Sequence, residues 1–297
     1  MTADRKPLTL RLLPHAVAGG AENMALDEAL LQSAQRGQAT LRFYGWDTAT
    51  LSLGYFQPER VRHHDAQLAA LPWVRRPSGG ATLIHQHEVT YSLTLPPGEP
   101  WQTLVVARSP DRATPSDRRS PREAGSPEET FGQAPRHGQE TVPQRDTIGS
   151  GCSCWLRRMH EIIAGALADL GVPTRMHTPE PDQVNPGFLC FRHFVAGDVL
   201  IGQAKVVGSA QRRQRGALLQ HGAILLASSP WTPILPGILE LTACRLSAEA
   251  VAKAVVRRFV PRTGWTLAPG DLTAEERQTV SDLTQNKYAA DAWNRKR

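Results

Sequence analysis

The chain has little lysine. Of 34 basic residues only five are lysine: Lys6, Lys205, Lys253, Lys287 and Lys296. It also has little cysteine, with four in 297 residues: Cys152, Cys154, Cys190 and Cys244. So few cysteines in a chain this long exclude a secreted disulfide framework. Cys152-Ser153-Cys154 lacks a second pair or a suitably spaced histidine couple, which argues against a metal site. Aromatic residues make up 6% of the chain. No basic stretch interleaves with them, as a base-stacking nucleic-acid surface requires. No apolar run approaches the ~20 residues of a membrane span. The opening MTADRKPLTLRLLPH has no apolar core long enough for a signal peptide. The expectation is a soluble, cytoplasmic protein with no metal, no membrane contact and no nucleic acid.

Hydrophobic content of 40% is enough for a sizeable core. Residues 105–150 depart from that composition. Pro, Ser, Arg, Glu and Gly dominate there, and Phe131 is the only aromatic. Such a stretch cannot bury enough surface to offset its ordering entropy and reads as a disordered low-complexity insertion. Residues 1–104 and 151–297 then form two parts of one domain. The insertion holds seven arginines and seven acidic residues, so the net charge of +6 belongs to the folded part. That balance suits an acidic protein partner, a phosphate-bearing ligand or nucleic acid, without choosing among them.

The hydrophobic pattern predicts strands at Leu8–Leu13, Leu41–Trp46, Thr50–Phe56, Trp73–Arg76, Thr82–His85 and Val89–Leu95. Helices are expected from Ala21 to about Ser33, from Pro58 to about Ala70 and from about Ser153 to Leu170. Strands follow at Phe188–Val195, Val199–Gly202, Lys205–Gln211 and Ala217–Leu226. Ala248–Phe259 and Asn286–Trp293 read as helical, and Thr273 with Glu276 forms a capping box. Interspersed strands and helices with short turns argue a mixed sheet with packed helices, α/β or α+β.

Two stretches carry chemistry. In residues 187–226 Cys190 lies in an apolar run, and Lys205 follows fifteen residues later among small and β-branched residues. A cation there is costly unless partnered. A cysteine and a lysine in neighbouring strands suggest a nucleophile and a group that lowers its pKa or steers its substrate. From local pattern alone a lone cysteine in an apolar run is more often inert core. After the lysine come Gly208, Ser209, Ala210 and the basic Arg212, Arg213 and Arg215, either a solvated turn or a docking site for an acidic domain. The second stretch runs from Arg75 and Arg76 through Ser78, Gly79 and Gly80 to His85. Its glycines let backbone approach a ligand, and its N–H groups with the arginines suit an anion. A plain hairpin turn fits the same pattern.

The stretch RRPSGGATLIHQHEVTYSL resembles the glycine-rich signature of the lipoate–protein ligase A / octanoyltransferase family. AENMALDEALL resembles its first helix, LSLGYFQ its second hairpin, KVVGSAQ its lysine loop, and Gln220-His221-Gly222 the strand that follows. Lys287-Tyr288 and Trp293-Asn294 resemble its C-terminal helix. The resemblance covers most of the chain except 105–150. It implies a biotin/lipoate protein ligase-like catalytic domain with a slot for a medium-chain acyl group. Arg76, Ser78, Gly79, Gly80, His85, Gly208, Ser209 and Ala210 would line that slot. Cys190-Phe191 and Lys205 match the spacing of a LipM-type transferase branch, which makes Cys190 and Lys205 the catalytic pair. Arg192-His193-Phe194 departs from the Ser-x-Tyr-Glu often found there.

The implied reaction is octanoyl transfer from acyl carrier protein to the lysine of a lipoyl domain, through a Cys190 thioester and without a cofactor. The acceptor would be the glycine-cleavage H protein or a 2-oxoacid dehydrogenase E2. The alternative is an ATP-dependent lipoate ligase, in which Arg75, Arg76 and the glycine turn hold an adenylate phosphate.

Overall fold

The computed structural model describes residues 8–98, 151–179 and 189–297, and all of them fall in one compact unit. The stretch read as an insertion lies outside the described residues. In chain order the elements are β1 (Thr9–Leu12), β2 (Ala16–Ala18), α1 (Gly20–Gln35), β3 (Thr40–Trp46), β4 (Thr50–Leu53), α2 (Ala66–Ala69) and β5 (Trp73–Arg75). There follow β6 (Leu83–His85), β7 (Glu88–Leu95), α3 (Gly151–Asp169), β8 (Arg175–Met176), β9 (Val199–Ile201), β10 (Ala204–Gln214) and β11 (Ala217–Leu225). The chain continues through α4 (Ile238–Thr242), α5 (Ala248–Thr263), β12 (Thr266–Pro269), α6 (Ala274–Leu283) and α7 (Asp291–Asn294).

Among the described residues, nine strands form one mixed sheet in the order β12-β1-β3-β7-β11-β10-β9-β8, with β2 beside β3. Strand β7 lies in its middle and is buried along its whole length, with Val89, Tyr91, Leu93 and Leu95 in the main core and Thr90, Ser92 and Thr94 alternating with them. Helices α3 and α5 cover one face, where Trp155, Ile163, Leu167, Val255 and Phe259 join Tyr91, Leu93 and Val207 in the main core. Helix α1 is buried against Tyr44, Ala217 and Leu219. A second small sheet, β5-β4-β6, carries the glycine turn between β5 and β6. No helix of the described residues is long and apolar enough to cross a membrane.

The mixed-sheet expectation holds, and four local readings change. The Phe188–Val195 strand is instead a 3-10 turn at Cys190–Arg192. An apolar run of this length does not distinguish strand from turn, and here Leu189 pairs only by a single bridge to Thr82. The Pro58–Ala70 helix breaks into a 3-10 turn, Glu59–His64, and the single-turn α2, because Asp65 caps α2 through Gln67 and Leu68 N–H. Arg212 and Arg213 belong to β10, and the turn itself is Arg215-Gly216, both with positive φ. That two-residue connection matches the twist of the β10–β11 hairpin. The Asn286–Trp293 helix is a π-turn, Thr284–Tyr288, followed by α7. The wider turn brings both Lys287 Nζ, at 2.6 and 2.8 Å, and Tyr288 OH onto buried Glu28 of α1.

The capping box at Thr273 is present, and Glu276 does a second job. Its carboxylate receives both Arg11 Nη atoms at 2.6 and 2.8 Å, tying α6 to β1. Burial opposes its charge, but hydrogen bonds from Arg11, Ser33 and Thr273 outweigh burial and hold its pKa at about 2. A depressed carboxylate pKa adds stability above the ordinary 4.5, lost as pH falls toward 2. The contribution is on the order of 3 kcal/mol. Acid unfolding between pH 4.5 and 2, followed by circular dichroism, should therefore be less steep in Glu276→Gln, which starts from a lower stability at pH 7.

Candidate active site

A narrow pocket lies where the glycine turn of the small sheet meets β10 and β11 of the large one. Its walls are mainly apolar: Met24, Tyr44, Trp46, Leu83, Phe191 and Ala223. Cys190, Arg76, His85, Gly208, Ser209, Ala210 and His221 also line it.

Cys190 reaches the pocket because its turn is anchored. Its N–H donates to Thr82 O at 2.6 Å, and Phe191 packs with Leu83, Ala223 and Leu225. The thiol is free and half-buried.

Lys205 comes from β10, five residues before the pocket wall at Ala210. Its side chain is buried and its ammonium sits 2.7 Å from Asp198, itself buried. The ammonium also donates to His193 O at 2.8 Å and Cys190 O at 3.4 Å. Lys205 thus grips the backbone of the turn that presents Cys190. Gly208 makes this possible: a Cβ there would stand 2.5 Å from Lys205 Cε. Asp198 fixes the loop in turn by accepting Val195 N–H at 2.8 Å.

Arg75 and Arg76 divide. Arg75 is fully buried, and its guanidinium donates to the carbonyl oxygens of Gly54, Gln57 and Asn294 at 2.6–3.1 Å. Arg76 lines the pocket. It donates to Ser52 Oγ at 2.6 Å, Ser52 O at 2.9 Å and Ala81 O at 2.8 Å, with no carboxylate within ion-pair distance among the described residues. Burial lowers its pKa, and the charges of Cys190 first, then Tyr44 and Glu88, pull it back.

Ser78, Gly79 and Gly80 stand next to the lining residues rather than on the pocket wall. Ser78 Oγ lies 2.5 Å from His221 Nε2, and His221 Nδ1 lies 2.8 Å from Asp27 Oδ2. A carboxylate accepts only, so His221 Nδ1–H donates to Asp27. Burial opposes ionisation of Asp27, but Arg42 at 3.1 Å and His221 keep its pKa below the ordinary value. Gly80, at φ +92°, packs on Gly54, where a Cβ would stand 1.9 Å from Gly80 O.

His85 is stacked on Trp46 with ring centroids 3.7 Å apart, and it is held by Ser52 at 2.7 Å and Glu88 at 2.6 Å. Burial lowers its pKa despite Glu88. Ser209 Oγ joins Tyr91 OH and His160 Nε2, each at 2.6 Å.

Sequence reasoning brought Cys190, Lys205, Arg76, His85 and the glycine strands to one place. It missed Asp198 and Asp27, the carboxylates that hold Lys205 and His221. Asp27 reads as the polar face of α1, yet it is wholly buried. The available signal for Asp198 was the costly lysine itself, which demanded an acid nearby.

The description "Lipoyl protein ligase A/B catalytic domain" matches residues 20–108 and 143–255. The chain is 32% identical to octanoyltransferase LipM of Kyrpidia tusciae, covering 96% of this chain and 98% of that one. It is 29% identical to octanoyltransferase LipM of Bacillus subtilis, over 97% and 99% of the two chains. In fold it is similar to a lipoate-protein ligase A bound with ATP, with a TM-score of 0.67 at 20% identity over 97% and 99% of the chains. A bipartite lipoate protein ligase of Thermoplasma acidophilum gives 0.64 at 19% identity over 97% and 96%. With its pocket, glycine turn and lysine strand placed as described, the chain belongs to the lipoyl protein ligase A/B catalytic-domain family.

Proposed function

We propose that Cys190 carries an octanoyl group as a thioester between a donor and an acceptor protein. The chain is an octanoyltransferase of lipoate assembly, as are the relatives it matches along nearly their whole length. The observation that carries the covalent route is a free thiol and a buried guanidinium lining one apolar pocket, with a buried ammonium gripping the turn that presents the thiol.

In the first half the Cys190 thiolate attacks the donor thioester carbonyl. The new C–S bond forms, the donor's C–S bond breaks, and the donor leaves as a thiolate. One thioester replaces another, so the step is nearly balanced. Arg76 favours the thiolate by its charge. Lys205 and Asp198 fix the turn, and hence the line of attack. The acyl chain lies against Met24, Leu83 and Ala223. In the second half the neutral amine of the acceptor lysine attacks the Cys190 thioester. A C–N bond forms, the C–S bond breaks, the amine releases a proton, and Cys190 returns as thiolate. The donor in this reading is acyl carrier protein. The acceptor is a lipoyl domain such as the glycine-cleavage H protein or a 2-oxoacid dehydrogenase E2.

The ligase reading asks Arg75 and Arg76 to grip an adenylate phosphate. Arg75 is withdrawn among backbone carbonyls, which counts against it. Intact mass after mixing the protein with octanoyl carrier protein, without ATP, tests the proposal. The expected result is one octanoyl adduct on Cys190, discharged by a lipoyl domain. Octanoylation of the acceptor only when ATP and free acid are supplied would refute it.

A further inference from the structure

The residues beyond the pocket rim are basic and aromatic. Phe56 is 71% exposed, the most exposed large apolar side chain of the described residues. Its ring lies 3.8 Å from where a Gly79 Cβ would sit, so it caps the glycine turn. Tyr55 packs edge-on against it, with ring centroids 4.9 Å apart. Three cations crowd these rings. Lys296 Nζ stands 3.7 Å from the Tyr55 centroid and 3.1 Å from that of Trp293. The Arg297 guanidinium lies 5.1 Å from Tyr55 and 5.4 Å from Phe56, and that of Arg212 5.5 Å from Tyr55.

Among the described residues these three cations have no carboxylate within 4 Å, unlike Lys287, held by Glu28, and Arg295, held by Glu59 and Asp291. The crowding is felt. Burial, followed by the charges of Arg75, Lys287, Arg297 and Arg212, lowers the Lys296 pKa to about 8. Like charges packed around an exposed apolar ring carry a cost that a folded domain does not need. An acidic partner would relieve it.

The patch is continuous with the pocket. Along β10, Gly208 and Ala210 line the pocket and Arg212 follows on the same strand face. A Gly80 Cβ would sit 3.8 Å from Ala210 Cβ, so the turn capped by Phe56 borders the pocket wall. A thioester donor delivered acyl end first, with its arm leaving along this strand face, would bring its carrier onto the patch.

We propose that Phe56, Arg212, Lys296 and Arg297 form the docking surface for the acidic carrier domain that delivers the acyl thioester. The proposal rests on the octanoyl-transfer reading for the identity of the partner. Phe56 supplies the apolar anchor, and the three cations face acidic side chains of the carrier. None of the four is part of the covalent chemistry.

Binding and turnover test this separately. First, octanoyl carrier protein is titrated into the Cys190→Ala protein, so that no chemistry is required. Lys296→Glu with Arg297→Glu should weaken binding at least tenfold and flatten its salt dependence, and Phe56→Ser should weaken it severalfold. Second, kcat/KM is measured in the Cys190 protein with octanoyl carrier protein and with octanoyl-pantetheine, which has no carrier domain. The charge reversals should reduce the first at least tenfold, through KM, and leave the second within about twofold. The proposal is overturned if binding is unchanged, if both donors lose equally, or if only the KM of the acceptor protein rises. A wild-type protein that forms no Cys190 adduct from octanoyl-pantetheine would instead refute the transfer chemistry, and the binding titration would still decide the surface.

Discussion

Cys190→Ala is expected to fold normally and to lose turnover completely. The thiol is half-buried on a 3-10 turn, and the turn is held by other atoms: Thr82 O on the Cys190 N–H, and Lys205 on the Cys190 and His193 carbonyls. Removing one sulfur leaves all of these, so the stability change should be about 1 kcal/mol or less. Arg76 should also stay in place, because Ser52 and the carbonyls of Gly79 and Ala81 hold it. The pocket therefore survives, and the variant should still bind an octanoyl thioester. Without a nucleophile there is no acyl-enzyme, and the rate should fall on the order of 10⁴-fold or more. Intact mass and a coupled transfer assay measure both effects. If Cys190→Ala still attaches free lipoate when ATP is present, the sulfur is a wall of a ligase pocket and the covalent route is wrong.

How much of this was legible beforehand follows from burial. The sheet strands were readable because their alternation or continuous apolar content reports a buried face directly. Strand β7 is the clearest case. The turn carrying Cys190 was not readable, since Leu189, Cys190 and Phe191 are apolar whether they extend along a sheet or fold over a pocket. What makes them a turn is the Lys205 ammonium, which comes from β10 and gathers the carbonyls of residues 190 and 193. A long-range contact of that kind leaves no local periodicity.

The site residues divide in the same way. Lys205 could be singled out because lysine is scarce and its neighbours are apolar. Asp27, Glu28 and Glu88 could not, since carboxylates on a helix or strand end ordinarily face water. Here each is buried under a basic or hydrogen-bonding partner from elsewhere in the chain: Arg42 and His221 on Asp27, Lys287 and Tyr288 on Glu28, His85 on Glu88. The charged partners of a pocket are set by the fold. The glycines of the turn and the spacing of Cys190 and Lys205 stood in the sequence itself.

Lys205 differs from Cys190 in that its removal should damage fold and chemistry together. Lys205→Ala leaves Asp198 buried, with its Oδ2 keeping only Val195 N–H and its Oδ1 already without a hydrogen-bond partner. Breaking a buried ion pair from one side typically costs about 3–5 kcal/mol. For a domain of this size that corresponds to a Tm roughly 10 °C lower. Slow acylation in that variant would then be ambiguous, since a loosened turn and a lost charge slow the reaction alike. Lys205→Met combined with Asp198→Asn removes the ambiguity. Met fills the path of the lysine side chain past Gly208, and Asn keeps an acceptor for Val195 N–H. No buried charge is left unpaired, so most of the lost stability should return. Activity should not return, because the ammonium that gathers the Cys190 and His193 carbonyls is still absent. Lys205→Arg should recover activity only in part, since its planar fork is wider than the compact ammonium that Gly208 accommodates. Thermal melts alongside single-turnover acylation of Cys190 separate the two contributions. A stable double variant that acylates at the wild-type rate would reduce Lys205 to a structural ion pair and leave Arg76 as the cation that serves the thiolate.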